Sequence, residues 1–381
     1  MRFPEFSGEW VIYKVSDVLD FYSTNSLSWD QLEYNTDELQ NLHYGLIHVG
    51  LPTAVDMNES ILPNIKKEFL PKNYELCKNG DVAFADASED TNEVAKAIEF
   101  VNLSNRNVVC GLHTIHGRDN HNLTSVGFKG YAFASESFHN QIRRIAQGTK
   151  IFSISCKNFT ECYIGIPSKE EQTKIAKLLG LIDERISTQI RIIEDLKQLR
   201  SALYYQIFSN IQGNWVTLKM VGDIAKGKQI NGSELLDEGM YYVMNGGITP
   251  SGYYNNYNTP ANTISISEGG NSCGYVQYNS VPFWSGGHCY NLRIKKSFDS
   301  QYIFHFLKFK ELDIMALRIG SGLPNIQKKD LEHFQVLVPD FTTQKKVAGL
   351  FVLINKKEET EMKLMNAWKM QKKYLLQKLF I

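Results

Sequence analysis

The chain has 381 residues, 43% of them hydrophobic and 22% charged, with 41 Lys+Arg balanced by 41 Asp+Glu. That length allows two to three domains with buried cores. The zero net charge excludes a uniformly basic nucleic-acid coat and an acidic disordered tail. No run of about 18 apolar residues is present, so no membrane-spanning helix is expected. The start, MRFPEFSGEW, lacks a basic-then-apolar leader, and a cytoplasmic protein is expected.

In chain order, VAFA (82–85) and NVVCGL (107–112) read as strands from their β-branched content or alternation. Between them Asp90 and Glu93 form a D-x-x-E capping box, which predicts a helix starting near 91. FHNQIRRIA (138–146) has helical periodicity. A long helix is predicted from 168 to 208, about 60 Å at about 1.5 Å per residue. Its apolar seam alternates spacings of 4 and 3 through Ile175, Leu179, Ile182, Ile186, Ile193, Leu196, Leu203 and Ile207. TISIS (263–267) and VLVP (336–339) read as strands, and SQYIFHFLKFKEL (300–312) as helix. A second long helix follows, with the seam Val347, Phe351, Ile354, Met365, Trp368, Leu375 and Leu379. Ser168 and Asp340, each just after a proline, are the expected N-caps of the two long helices.

An internal repeat organises these elements. A shift of 172 residues carries Gly148 onto Gly320, Ile154 onto Ile326, Lys157 onto Lys329, Gln172 onto Gln344 and Phe208 onto Phe380. Upstream, WVIYK at Trp10 echoes WVTLK at Trp215, and the first globular part is longer by insertions. The expected division is therefore 1–167, a first globular α+β domain; 168–209, a spacer helix; 210–339, a second domain; and 340–381, a second spacer helix. Matched seams predict that the two helices pair antiparallel within one chain and relate the halves by a pseudo-twofold. Polar seam positions recur as Gln189/Glu361 and Arg200/Lys372, where they can set register.

The chemistry-bearing residues are sparse. The six cysteines contain no C-x2-C pair, and no metal site is expected; His113, His116 and His121 near Cys110 read as a polar loop. There is no phosphate-binding G-x-x-x-x-G-K-[ST] loop and no G-x-S-x-G elbow. Glu361-Met-Lys363 matches the E-x-K part of a nuclease motif but lies on the seam-bearing helix. Residues 269–274 (GGNSCG) read as a tight turn, and no catalytic residue is assigned.

Charge is unevenly placed: 1–167 carries 14 Lys+Arg against 21 Asp+Glu, and 340–381 carries 9 against 4. Basic clusters precede each long helix. Arg143, Arg144 and Lys150, then Arg318, Lys328 and Lys329, are the expected phosphate anchors, with Lys226 and Lys228 a further pair. His116, Asn120, Asn245, Asn271 and His288 in the polar loops are the expected base readers.

GIPSKEEQTKIAKLLGLIDERI and VLVPDFTTQKKVAGLF resemble the two conserved regions of specificity subunits from type I restriction–modification systems. GDVAFADASED, CGLHTI, YVMNGGITPSGYY, TISISEGGNSCGYV and FWSGGHCYNL resemble that family's target-recognition domains. The resemblance implies a non-catalytic subunit that binds a bipartite double-stranded DNA target, one half-site per domain, with the domains held apart by an antiparallel coiled coil. It further implies two methyltransferase subunits and restriction subunits as partners. S-adenosylmethionine, ATP and Mg would be bound by those partners and no cofactor by this chain. Two other classes stay open here: a helical scaffold without DNA specificity, and a self-contained DNA-modifying enzyme.

Overall fold

The computed structural model describes every residue except 1, 37, 321, 323 and 381. The chain divides into two compact units, Met1–Ile190 with Leu364–Ile381, and Arg191–Lys363. The long helices run Lys169–Asn210 and Phe341–Lys378, so each unit takes half of each helix.

In the first unit the largest sheet has five strands, in the order Asp20–Tyr22, Thr114–Arg118, Val82–Ala85, Ala97–Asn102 and Ala54–Asp56. The first four are antiparallel neighbours, and Ala54–Asp56 adds in parallel. A four-stranded sheet of Val108–Cys110, Gln40–Leu42, Asn64–Ile65 and Leu32–Glu33 lies beside it, with Val108–Cys110 and Gln40–Leu42 parallel. The second unit has an antiparallel four-stranded sheet, Gly222–Lys226, Cys289–Ile294, Thr263–Ser267 and Val276–Asn279. Chain order and pairing match the first four strands of the larger sheet. A three-stranded sheet of Gly252–Tyr254, Tyr241–Met244 and Trp284–Ser285 completes the unit.

The WVIYK/WVTLK echo has a structural meaning. Val11–Lys14 pairs antiparallel with Tyr163–Ile166, and Asn214–Thr217 pairs antiparallel with Gln335–Val338. Each of these ribbons ends at the proline that opens a long helix. There the repeat-equivalent glutamines, both buried, bind the same kinds of group. Gln172 donates to the Pro167 carbonyl and accepts from the Ser125 N–H; Gln344 donates to the Pro339 carbonyl and accepts from the Asp299 N–H. Ser168 Oγ accepts from Glu171 N–H, and Asp340 Oδ1 from Thr343 N–H, which caps orphan donors of both helices.

The helix seams are buried or half-buried throughout. Ile175, Leu179, Ile182, Leu375 and Leu379 join the core of the first unit, and Val347, Phe351 and Ile354 that of the second. Within the first unit, Asp183 meets Lys372 at 2.6 Å; within the second, Arg200 meets Asn355 at 3.0 Å and also Glu358. Partner numbers fall as the first helix advances, so the helices run antiparallel. The two polar contacts are repeat equivalents, since the 172-residue shift carries Asp183 onto Asn355 and Arg200 onto Lys372.

Two local readings need correction. The helix expected near 91 is a turn spanning 91–95, followed directly by the strand Ala97–Asn102. Asp90 Oδ1 accepts from Asn92 N–H at 2.9 Å, and Ala95 at φ 58° reverses the chain. An Asx turn satisfies the same Asp-first spacing without a helix behind it. The stretch 300–312 is also not one helix: Ser300–Phe309 and Glu311–Met315 are separated at Lys310.

Candidate nucleic-acid interface

The repeat reaches beyond the helices into a pair of matching loop constellations. In the first unit, the strand Val82–Ala85 runs out into Asp86; in the second, Thr263–Ser267 runs out into Glu268. The N–H of Asp86 donates to the His113 carbonyl at 3.1 Å, and the N–H of Glu268 donates to the His288 carbonyl at 2.9 Å. His113 Nδ1 lies 3.1 Å from Asp86 Oδ1, and His288 Nδ1 lies 3.8 Å from Glu268 Oε2. The carbonyls of Asp86 and Glu268 accept from Ile154 N–H (2.9 Å) and Ile326 N–H (2.8 Å), which the repeat makes equivalent. Isolated bridges before those isoleucines also correspond. Bridges Gln147–Ser153 and Ile319–Asn325 flank Gly148 (φ 137°) and Gly320 (φ 101°), where a positive φ demands glycine.

Each unit therefore presents an exposed imidazole beside a carboxylate at the end of a central strand. Imidazole can donate to or accept from base edges, and a carboxylate accepts from an exocyclic amino group such as cytosine N4. His113 is 50% exposed and His288 65%.

The second unit gathers Lys226, His288, Asn245 and the loop of Asn271 around Glu268. Lys226 Nζ is 2.6 Å from Glu268 Oε1, and the Tyr290 hydroxyl donates to the same oxygen at 3.2 Å. Burial and that carboxylate push the Tyr290 phenol up to about 12, which keeps it a donor. Asn245 Oδ1 accepts from His288 N–H at 3.3 Å. Ser267 and Ser272 hydroxyls both donate to the Gly246 carbonyl, which ties the loop bearing exposed Asn271 to that of Asn245. Gly246, at φ 85°, lets that loop pass close to His288; a Cβ there would lie 2.8 Å from the His288 carbonyl oxygen. The turn at 269–274 connects two strands, as its composition suggests. Lys228 is exposed, and its carbonyl accepts from Trp284 Nε1.

The first unit disperses its expected residues, and one is misplaced. His116 is fully buried in Thr114–Arg118, with Nε2 on Asp81 at 2.7 Å, so it cannot read a base. All five residues of that strand are buried: Ile115 joins the core that includes Phe128, Phe133 and Phe138 of the following helices, while His116 and Arg118 are bound to Asp81. The exposed histidine is His113, three residues earlier. The signal that finds it is the pair G-L-H-T (111–114) and G-G-H-C (286–289), each opening a strand of the repeat-equivalent sheet. Asn120 is exposed, and its amide donates to Asp20 Oδ2 and the Tyr22 hydroxyl. Arg143 is engaged by Glu136, Asn140 and Asn92, so it is not a free phosphate ligand.

Lys328 faces Glu332 at 3.6 Å on its own helix, Lys328–His333. Among the described residues, Arg144, Lys150, Lys228, Arg318 and Lys329 are exposed without a carboxylate partner. Lys150 sits in the hairpin loop flanking Gly148, and Arg318 adjoins the equivalent loop of the second unit.

Two units of duplicated α+β fold, each taking half of both long helices, define a class of tandem-repeat architecture. Residues 213–367 match the family model described as the type I restriction modification DNA specificity domain. A putative type I specificity subunit of Mycoplasma genitalium is 27% identical over 300 residues, covering 74% of this chain and 78% of that protein. The crystal structure of the type I restriction–modification S subunit from M. genitalium superposes over 100% of this chain and 99% of that one. Its TM-score is 0.66 at 21% identity, a likeness of fold. A chain from a structure of type I restriction–modification complex assembly and conformational transition covers 98% of this chain and 97% of its own, with TM-score 0.59 at 15% identity. The chain is thus similar to specificity subunits of type I restriction–modification systems, with the family model matching its second half.

Proposed function

We propose that this chain reads a bipartite double-stranded DNA target, one half-site per unit, and directs methylation and cleavage carried out by partner subunits. The observation that carries the proposal is the duplicated histidine–carboxylate pair, His113/Asp86 and His288/Glu268, framed in both units by equivalent hydrogen bonds. A scaffold without DNA specificity needs the helices but has no use for a second copy of an exposed polar constellation. In this reading Arg144 and Lys150 anchor phosphates for the first unit, and Arg318 and Lys329 for the second. Such contacts position the duplex, while the loop side chains read sequence.

The partners are two methyltransferase subunits and restriction subunits. S-adenosylmethionine, ATP and Mg belong to them, and this chain supplies no catalytic residue. Domain exchange tests the modular part. Residues 210–339 are replaced by the equivalent segment of a related subunit, and methylated sites are mapped with methyltransferase partners present. Only one half-site should change; a change in both halves, or in neither, defeats the reading. Purified alone, the chain should neither methylate nor cut DNA.

A further inference from the structure

Cys77, Cys110 and His116 converge in the core of the first unit, although 33 residues separate the two cysteines. Cys77 N–H donates to the Val108 carbonyl, which pins its segment beside the strand Val108–Cys110. A donor atom of each of the three side chains lies within 4.8 Å of the other two. All are buried, at 6%, 2% and 0% exposure.

Three features go beyond a chance meeting of core residues. The sulfurs are 3.6 Å apart, close to the roughly 3.8 Å separating two thiolates on a tetrahedral ion with metal–sulfur bonds of about 2.3 Å. His116 Nε2 is bound to Asp81, while Nδ1 is buried without a partner; a buried ring nitrogen left bare is costly unless something occupies it. Asp81 is itself held by Arg118 through Nε at 2.9 Å and Nη2 at 2.8 Å. A carboxylate on the far nitrogen is the arrangement that orients a metal-binding imidazole.

We propose that Cys77, Cys110 and His116 form a binding site for a thiophilic divalent cation of the zinc class, with Asp81 as the positioning residue. Two thiolates balance the charge of a divalent ion, and the Asp81–Arg118 pair is already balanced, so the filled site adds no net charge to the core. Cys110 also lines a groove of about 480 Å³ with Asn25, Glu75 and His113, the side from which an ion would have to enter. The ion would tie the segment carrying Cys77 to the strand end at Cys110, just ahead of exposed His113. Its role would thus be to stiffen the loop that bears the first unit's surface imidazole.

The test uses the full chain, reduced, stripped with a chelator and titrated with Co²⁺. One equivalent should bind and produce a thiolate-to-cobalt charge-transfer band, which Zn²⁺ displaces. Cys77→Ser and Cys110→Ser should each abolish the band, and Cys156→Ser, at an exposed cysteine, should leave it unchanged. Asp81→Asn should keep the stoichiometry and weaken affinity about 10–100-fold. Because substitutions in the core can unfold the chain, the wild type is also alkylated in mild denaturant and mapped by mass spectrometry. Zn²⁺ should protect Cys77 and Cys110 but not Cys156. Absence of the band in the wild type, its survival in both serine variants, or equal alkylation with and without Zn²⁺ would each overturn the site.

Discussion

Glu268 concentrates more interactions than any other side chain of the proposed reading surface, since Lys226, His288 and Tyr290 all face it. Replacing it with glutamine keeps the shape and removes the charge. Glu268→Gln should therefore shift base preference in one half-site, by about 1–3 kcal/mol of discrimination for a good base contact. Asp86→Asn should do the same in the other half-site. Competition binding with half-site variants, partners present, measures both; an equal loss of affinity for every sequence would mean the carboxylates only support the loops.

His305 shows a different kind of residue effect. It is fully buried in Ser300–Phe309, with Nδ1 on the Tyr204 hydroxyl at 2.8 Å and Nε2 without a partner. Burial, helped by the charge of Arg200, lowers its pKa from 6.5 to about 3. The unfolded chain then binds a proton that the folded chain refuses between these values. Stability is fully present above about pH 6.5 and falls as pH drops toward 3, at about 1.4 kcal/mol per pH unit. His305→Phe should flatten that part of the profile, seen as a smaller difference between urea midpoints at about pH 7 and pH 5. An unchanged difference would show that other groups set the acid sensitivity.

The helix pair derives its specificity from where polar groups interrupt the seam. Lys372–Asp183 and Arg200–Asn355 place the same contact in each unit, so a slip of either helix by one turn breaks both. The apolar positions supply the stabilisation. Phe351 is fully buried against Tyr204, Phe208 and His305, with ring centroids 4.5, 5.9 and 4.9 Å away. Phe351→Ala should cost about 3–5 kcal/mol, and Ile193→Ala, also buried, about 2–5. Denaturant unfolding measures both, and losses below about 1 kcal/mol would mean the seam does not carry the fold. The seam was legible because helical spacing is a local property: each apolar residue lies three or four positions from the next. The turn at 91–95 was not, because a side-chain oxygen accepting the N–H two residues on serves a lone turn as well as a helix start.

For the molecule as a whole, the two proposed reading surfaces on one chain predict strong dependence on both halves of the target. Duplex carrying one half-site should bind about 10²–10⁴-fold more weakly than the full site, because the second contact no longer benefits from effective concentration. Fluorescence anisotropy at fixed salt, with methyltransferase partners, checks this; equal affinity for half and full sites would show that one unit does the binding alone. The amino-acid order by itself determined the tandem plan, the two long helices and their caps, since repetition and periodicity are written along the chain. Tertiary structure alone decided which histidine faces solvent. His113 and His116 are three residues apart, yet His116 is buried against Asp81 inside the unit while the turn before the strand leaves His113 exposed. It also decided that Cys77 meets Cys110 and His116, because sheet pairing joins residues far apart in sequence, and no spacing rule along the chain encodes which strands become neighbours.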